Sequence, residues 1–338
     1  MVLGDVPIYK HLSPNGVKPH MSALVKKLLV ALALLFLTGC HKLPVPQTSQ
    51  VAAAQNSARQ RKRSYGPPIV IGELRDREIN ESSGLVASRS PEVYWTHNDS
   101  GDGPFIYAVD ERGGSRGVWR VAGAAARDWE DIAAGPGPQR NKRYLYIGDI
   151  GDNDADRSEV VIYRVPEPAI APSDAAATKS KPRTTEPAEA IKLRYPDGKH
   201  DAETLLVHPV SGNIFIITKV ALANPVVYEA FGPLNSGGLT TLVRKAELNV
   251  PSLLGGLITG GDISPDGQRV ALCDYLQGYE LVLPGASRDF DDIWKQPMTT
   301  IDLGRRRQGE AIAYRLDGRA LLMTSEGVHS PLIQVVRR

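Results

Sequence analysis

The sequence lacks the features that mark several common classes of protein. Its 338 residues carry a formal net charge of only +2, and no long basic patch with interleaved aromatic side chains indicates nucleic-acid binding. No P-loop is present. Helical periodicity is nearly absent, and its best candidate, Ser287 to Lys295, amounts to one or two turns. These absences argue against a helical fold and against a nucleic-acid partner.

The apolar run near the start of the chain is too short to span a bilayer, which needs roughly 20 residues. It covers Leu28 to Leu37, follows Lys26 and Lys27, and leads into Leu37-Thr38-Gly39-Cys40, as in a secretory signal. The last four residues resemble the lipobox of bacterial lipoproteins, which implies that Cys40 is lipidated and becomes the new N-terminus. We predict a signal peptide over 1–39 with Met21 as its true start. The alternative is an ordinary signal peptide with a chance cysteine.

The composition changes twice after the predicted lipidation site. Residues 40–66 are rich in Pro, Gln, Ser and Ala and predict a flexible tether, whereas 67–338 predict the folded domain. His41 follows Cys40 where Asp would indicate inner-membrane retention. We therefore expect a lipid anchor in the cell envelope, on the periplasmic or surface side of the outer membrane. Cys273, left without a partner, lies in an apolar strand and is expected to be a buried small side chain.

Five strand–turn–strand units can be aligned within the domain, and short apolar runs separated by Gly, Pro, Asp and Asn predict an all-β fold. Each unit is followed by a third strand and most by a fourth, which indicates a β-propeller of five four-stranded blades. A sixth blade could lie in 166–190, but its Pro, Ala, Ser, Thr and Lys content favours a loop. The units begin at Glu81, Asp128, His200, Gly261 and Gln308.

The fifth unit runs out of chain after its third strand, Leu332 to Val336. At the start of the domain, Ile69 to Leu74 is a strand without an assigned blade. We predict that this N-terminal strand completes the last blade, because closing the ring removes an exposed sheet edge.

Polar residues at the strand ends are expected to meet at one face of the ring. Antiparallel neighbours joined by a tight turn place the start of one strand beside the end of the other. The turns at Val210, Pro265 and Leu316 therefore define one face, and acidic residues, with Glu81, Asp274 and Glu326 among them, define the other. Oxygen ligands around a funnel suit Ca²⁺. The candidate calcium ligands are Asp99, Glu130, Asp131, Asp149, Asp152, Asn153, Asp201, Glu203, Asp262 and Glu310.

Structural roles for these acids stay open beside the metal hypothesis. Asp and Asn are common at strand ends because they make local turns, and we assign Asp110, Asp197, Asp266 and Asp317 to such turns. The glutamates at the strand entries could instead accept backbone N–H groups of the neighbouring blade. Asp152, Asp154 and Asp156 alternate as in an EF-hand loop, but the later Gly and Glu of that loop are missing.

The motifs Glu81-x-Ser-Gly-Leu, Asp128-Trp-Glu-Asp-Ile-Ala, Gly148-Asp-Ile-Gly-Asp-Asn and His200-Asp-Ala-Glu resemble secreted β-propeller proteins of the phytase-like and esterase-like group. The resemblance covers about 68–338. It implies calcium ions at the channel mouth that help to bind and cleave phosphate esters, and a ligand role for Glu130, Asp131, Asp149, Asp152 and Glu203. The chain departs from the phytases in having five blades rather than six and no Lys and Arg cluster at strand ends.

Two functions follow as hypotheses. The first is a calcium-dependent hydrolase of phosphate or other esters, with His200, Glu203 and Lys219 as catalytic candidates. A carboxylate or His200 would be its base, and Lys219 could pair with a neighbouring carboxylate or bind a phosphate. The second is a noncatalytic envelope propeller that binds a protein or glycan. In both, the chain contacts the membrane through Cys40, and we expect a monomer.

Overall fold

The repeated strands form a ring of five antiparallel sheets in a computed structural model that describes residues 65–252 and 255–338. The predicted all-β propeller with five four-stranded blades is confirmed. The predicted signal peptide, Cys40 and most of the tether lie outside the described residues. In chain order the strands are β1 (Ile69–Glu73), β2 (Ser82–Ala87), β3 (Val93–Asn98), β4 (Phe105–Asp110), β5 (Ser115–Arg120), β6 (Trp129–Pro136), β7 (Arg143–Asp149), β8 (Val160–Pro166), β9 (Arg183–Thr184), β10 (Glu189–Arg194), β11 (Ala202–Val207), β12 (Ile214–Thr218), β13 (Val220–Ala221), β14 (Val226–Ala230), β15 (Leu239–Thr241), β16 (Val243–Glu247), β17 (Gly255–Gly256), β18 (Ile258–Ile263), β19 (Arg269–Asp274), β20 (Gly278–Val282), β21 (Thr299–Ile301), β22 (Gly309–Tyr314), β23 (Ala320–Ser325) and β24 (Pro331–Val336).

Each blade runs outward from an innermost strand, and we name the blades A to E in chain order. Blade A is β2-β3-β4-β5, blade B is β6-β7-β8-β10, blade C is β11-β12-β14-β16, blade D is β18-β19-β20-β21, and blade E is β22-β23-β24-β1. The short strands β9 and β15 add in parallel to the outer edges of blades A and B. Short β13 and β17 pair separately with each other.

Blade E is completed by the N-terminal strand, as predicted. β1 pairs antiparallel with β24, from Ile69 opposite Gln334 to Glu73 opposite Pro331. The chain then crosses to blade A, where the N–H of Arg75 donates to the carbonyl of Gly113 at 2.9 Å. One strand therefore joins the last blade to the first and closes the ring.

The core consists of five apolar clusters, one in each gap between neighbouring blades. Innermost strands such as β2 and β11 are buried along their whole length, because both of their faces meet neighbouring sheets. Each fully buried Val, Leu, Ile or Phe side chain contributes about 1.5–3 kcal/mol. Cys273 lies in the gap between blades D and E, where burial raises the pKa of its thiol to about 11, in agreement with a packing role.

The segment predicted as a loop over 166–190 contains a single 3₁₀ turn, Pro172–Ala176, besides β9 and the start of β10. A second 3₁₀ helix, Phe290–Lys295, occupies most of the predicted short helix. Asp289 caps it, because its carboxylate accepts the N–H of Asp291 at 3.0 Å. No helix within 65–252 and 255–338 is long and apolar enough to cross a membrane.

Ring closure predicts unequal effects for two glycine substitutions. Gly113 has φ +80°, and an added Cβ would lie 1.8 Å from the carbonyl oxygen of Glu73 at the end of β1. Gly101 has φ +88° with open space around it. We expect Gly101→Ala to cost about 1–2 kcal/mol for its backbone conformation alone, and Gly113→Ala about 3 kcal/mol or more, because it also displaces the closing strand. Urea unfolding measures both, and equal costs would contradict the assigned role of this contact.

Candidate metal site at the channel mouth

A β-bulge occurs at the same place in all five blades. The pairing between the innermost strand and the second strand shifts by one residue near its start in every case. The extra residue on the innermost strand is what we call the bulge position. The bulge positions are Ser83, Glu130, Glu203, Thr259 and Glu310.

Two further sets of equivalent positions flank the bulges. The entry position of a blade lies two residues before its bulge on the innermost strand. The residue just before the bulge pairs with a residue of the second strand, and the exit position is the residue that follows this partner in the chain. The entry positions are Glu81, Asp128, Asp201, Leu257 and Gln308. The exit positions are Asp99, Ile150, Lys219, Tyr275 and Glu326. Together with the bulge positions they hold eight carboxylates and one lysine at one mouth of the channel.

The bulge side chains divide into two kinds. The hydroxyl of Ser83 donates to the carbonyl of Glu130 at 2.6 Å, and that of Thr259 donates to the carbonyl of Gly309 at 2.8 Å. Both bonds join one blade to the next. Among the described residues, Glu130 and Glu310 make no such bond to the following blade, although the bulge is at the same place. A hydroxyl at the bulge position is therefore enough to join two neighbouring blades, and a glutamate is not needed for this structural role.

Asp99, Asp128 and Glu130 form the tightest group of acids in the described part of the chain. One carboxylate oxygen from each lies within 4.8 Å of the other two. Gly151 gives them room, since a Cβ there would lie 2.2 Å from Oε1 of Glu130 and 2.4 Å from Oδ2 of Asp128. Glu130 is 3% exposed, and its carboxylate accepts no hydrogen bond from any described residue. We call these three residues the acidic triad.

Four of the five remaining mouth acids have protein partners, and Glu81 has none among the described residues. Nζ of Lys219 contacts Oε1 of Glu203 directly and lies 3.9 Å from Oδ2 of Asp201, which agrees with the predicted pairing of this lysine. Oε2 of Glu203 is buried without a hydrogen-bond partner. Nε2 of Gln308 donates to Glu310 at 2.9 Å and to Glu326 at 2.7 Å. Within the acidic triad, Asp99 accepts the N–H of Ser100 at 2.5 Å, whereas the carboxylates of Asp128 and Glu130 accept no hydrogen bond from the described residues.

Burial and mutual repulsion raise the pKa values of four mouth acids, Asp128, Glu130, Glu310 and Glu326. Burial is the largest cause in each case, and nearby carboxylates such as Asp99 add to it. The pKa of Asp128 rises to about 6, that of Glu326 to about 7 and that of Glu310 to about 8. The pKa of Glu130 rises well above its ordinary value. Without a cation, the cluster therefore retains protons at neutral pH.

Two predicted ligands join blades instead of facing the mouth. Oδ2 of Asp131 accepts the N–H of Leu205 at 3.0 Å, which ties blade B to blade C. Oδ2 of Asp262 accepts the N–H of Tyr314 at 2.8 Å, which ties blade D to blade E. Asp262 also lies three residues beyond its bulge, towards the turns, and lines a cavity at the opposite face. The expectation that it gathers with the other acids is corrected.

The Asp-rich loop after β7 is held by its own chain. Asp149 forms a buried ion pair with Arg157 at 2.8 Å and accepts the N–H of Arg127 at 3.1 Å. Asp152 accepts the N–H of Asp156 at 2.8 Å and of Arg157. Asn153 is exposed on the loop. The densest acidic stretch of the sequence is therefore engaged with local donors and lies outside the acidic triad.

Neither His97 nor His200 belongs to the acidic triad. His200 bonds to Asp197 at 3.0 Å and to the hydroxyl of Tyr228 on the third strand of its blade, away from the channel. Asp197 thereby has this side-chain role rather than the simple turn role expected. His97 is fully buried, donates from Nδ1 to the carbonyl of Asn98 at 2.8 Å, and has its pKa lowered to about 4 by burial. His97 is therefore neutral.

Asp128 belongs to the triad but was missing from the sequence-based ligands. Asp128 precedes its strand by one residue, so the alternation of side chains along the strand does not predict that it faces the mouth. Its equivalence to Glu81 and Asp201 could have identified it, because all three hold the same entry position.

The segment Gly113-Gly114-Ser115-Arg116-Gly117 has the spacing of a nucleophile elbow. It lies between β4 and β5 in a β-hairpin and not before a helix, so it does not have the structure of that motif.

No protein-family model and no curated protein sequence matches this chain. Among solved structures, a chain in the crystal structure of a nidogen/laminin complex is similar at 14% sequence identity. The match covers 73% of each chain with a TM-score of 0.39. The five-bladed architecture and the site rest on the coordinates of this chain.

The acidic mouth predicts that stability without metal falls as pH rises. Folded-state pKa values above those of the unfolded chain mean that the folded protein holds more protons. This stability is complete at low pH and is lost as pH rises through the values of Asp128, Glu326 and Glu310. In EDTA we expect Tm to drop by several degrees from about pH 5 to about pH 9. Differential scanning calorimetry measures this.

The pair Glu310→Gln with Glu326→Gln should flatten this pH dependence, because the amides keep the Gln308 contacts without titrating. Asp302→Asn, at an exposed turn, is the matched control and should leave the dependence unchanged. A Tm that is constant or rises over this range in EDTA would contradict the assigned protonation.

Proposed function

We propose that this protein is a calcium-binding β-propeller of the cell envelope, with Asp99, Asp128 and Glu130 holding the ion at the channel mouth. The observation that carries the proposal is the acidic triad: three carboxylates within 4.8 Å of one another, one of them buried and without a donor. Burying like charges this closely is costly unless a cation or protons neutralise them. Gly151 preserves the space between two of them.

The donor chemistry favours Ca²⁺ over zinc. The triad offers carboxylate oxygens only, whereas zinc prefers Cys and His ligands. Ca²⁺ takes six to eight oxygens, so three carboxylates would leave positions for solvent or for an anionic ligand. The resemblance to secreted phytase-like propellers points to the same ion at the same mouth. We therefore expect cation-dependent binding of an anionic ligand, which a glycan or protein partner could also supply.

Hydrolysis of phosphate or other esters is the second candidate. Glu203 and Lys219 lie in the same mouth as the triad, so a ligand held there would be near both groups. A bound ion would supply Lewis acidity to such a reaction. His200 is not favoured as the base, because its ring is bonded to Asp197 and Tyr228.

We further propose that Cys40 carries a lipid that holds the propeller at the outer membrane. The support is the basic, apolar and Leu37-Thr38-Gly39-Cys40 pattern of the N-terminal region. In cells fed an alkyne-tagged fatty acid, the wild-type chain should be labelled and recovered with membranes, while Cys40→Ser should be unlabelled. Equal labelling of both chains would exclude lipidation at this cysteine.

Calcium should stabilise the protein. A ligand that binds only the folded state at 100 times its dissociation constant adds about 2.7 kcal/mol, or roughly 5–10 °C in Tm for a domain of this size. We expect this rise in the full-length protein when millimolar Ca²⁺ replaces EDTA. Asp128→Asn and Gly151→Ala should abolish most of it, because one removes a ligand and the other displaces two.

Asp154→Asn is the matched control, since Asp154 is exposed in the Asp-rich loop and should be dispensable. Lys219→Met should lower Tm in EDTA yet bind calcium more tightly, because it removes the mouth's one lysine. Turnover of p-nitrophenyl phosphate that requires calcium and is lost in Asp128→Asn would decide for the hydrolase. The same calcium response in Asp128→Asn and wild type would exclude the triad.

A further inference from the structure

The opposite mouth of the channel contains a cavity that the metal site does not use. Its volume is about 340 Å³, within the range of small-ligand pockets. All five blades line it at the carboxyl ends of their innermost strands and in the turns that follow. Val86 of blade A, Pro209 of blade C and Leu316 of blade E are among the lining residues. We call it the turn-face cavity.

One wall of the turn-face cavity is cationic. Nη1 of Arg143 donates to the carbonyl of Ala87 at 2.6 Å and lies 3.4 Å from Oε2 of Glu167. Its Nε and Nη2 make no hydrogen bond to any described residue. Glu167 is itself fixed, since its Oε1 accepts from Trp95 at 3.0 Å. Arg143 is thus a rigid guanidinium with one edge available to a ligand.

A second guanidinium lies nearby and is less engaged. Arg89 is exposed, and its side chain makes one hydrogen bond, to the carbonyl of Asn141 at 3.4 Å, and no ion pair within the described residues. Lys142 is paired with Glu186 at 3.5 Å at the rim. The acid of the cavity is Asp262, whose Oδ2 is occupied by the N–H of Tyr314 and whose pKa burial raises to about 7. The cavity therefore favours an anion.

The rest of the wall is apolar and stiff. Pro136, Pro209 and Pro265 come from three different blades and line the cavity together. A proline fixes its own φ, so the rim loses little conformational entropy when a ligand binds. Val86, Ala134 and Ile263 add buried or half-buried apolar surface. The cavity thus has a cationic wall and a rigid apolar wall, so it is complementary to a ligand that has an anionic group on an apolar body.

We propose that the turn-face cavity binds a small organic carboxylate, with its carboxylate on Arg143 and Arg89 and its apolar body against the proline-lined wall. Arginine matches a carboxylate through paired N–H donors, which selects a planar anion over a neutral group of the same shape. The volume suits a body about the size of one aromatic ring. This binding is independent of the proposed calcium site.

Benzoate is the probe, with benzyl alcohol as its neutral analogue, and both are titrated in EDTA into the full-length protein under saturation-transfer NMR. We expect saturation transfer to benzoate with millimolar or tighter affinity, and affinity for benzyl alcohol weaker by about tenfold or more. Arg89→Glu and Leu316→Glu should each weaken benzoate binding by about tenfold or more, because both set a negative charge at the rim. Neither change touches the apolar core between blades.

Arg112→Glu is the matched control, since it makes the same charge reversal at an exposed site outside this cavity. Its benzoate affinity should stay within about twofold of the wild type. No saturation transfer to benzoate, equal binding of benzyl alcohol, or equal losses in Arg89→Glu and Arg112→Glu would each overturn the proposal. A calcium site that fails its own test leaves these outcomes unaffected.

Discussion

The ring exists because one strand at the start of the domain pairs with the last strand of the chain. Without β1 on β24, blade E would end in an open edge, and the cluster between blades E and A would lose Leu74, which directly follows β1. Three of the other four gaps are filled by side chains from consecutive segments, whereas the gap between blades D and E also contains Tyr65, whose hydroxyl donates to Glu280. Closure fixes five innermost strands around one axis, and everything at the two mouths follows from that convergence.

The convergence of the five innermost strands brings carboxylates close together at one mouth. The bulge positions show that the fold itself does not require these charges. Two carboxylates at 4 Å repel by roughly 4 kcal/mol at an effective dielectric of 20. Ser83 and Thr259 meet the structural need of the bulge position with one hydroxyl each. Glu130, Glu203 and Glu310 hold the same position, with burial that raises the pKa of Glu130 and of Glu310. Because a serine suffices at this position, the repulsion between these carboxylates is the reason that we propose a cation at the mouth.

The sequence predicted the architecture better than the site. Apolar runs with turn residues between them determined the blade count, and Val226–Ala230 coincides with its predicted strand. The face that holds the turns was also predicted, and Gly212 and Gly267 in two of these turns have positive φ values of 72° and 68°. The composition of the site depends on features of the folded chain that local sequence patterns do not predict. A one-residue bulge decides whether Asp128 belongs to the mouth, strand length places Asp262 at the far end, and Arg157 of the loop after β7 compensates Asp149.

The two mouths can evolve and be tested separately, because the innermost strands hold them apart. Six residues of β-strand span about 20 Å, and β2, β11, β18 and β22 are each six residues long. Charges in contact with solvent are largely screened beyond about 8 Å at physiological ionic strength. A carboxylate removed at the acidic triad therefore has little effect on Arg89 at the other mouth. Asp131, next to its bulge, and Asp262, at the turn-face cavity, both hold neighbouring blades through backbone N–H groups. Substitution of either would loosen the ring itself before it altered one mouth through the other.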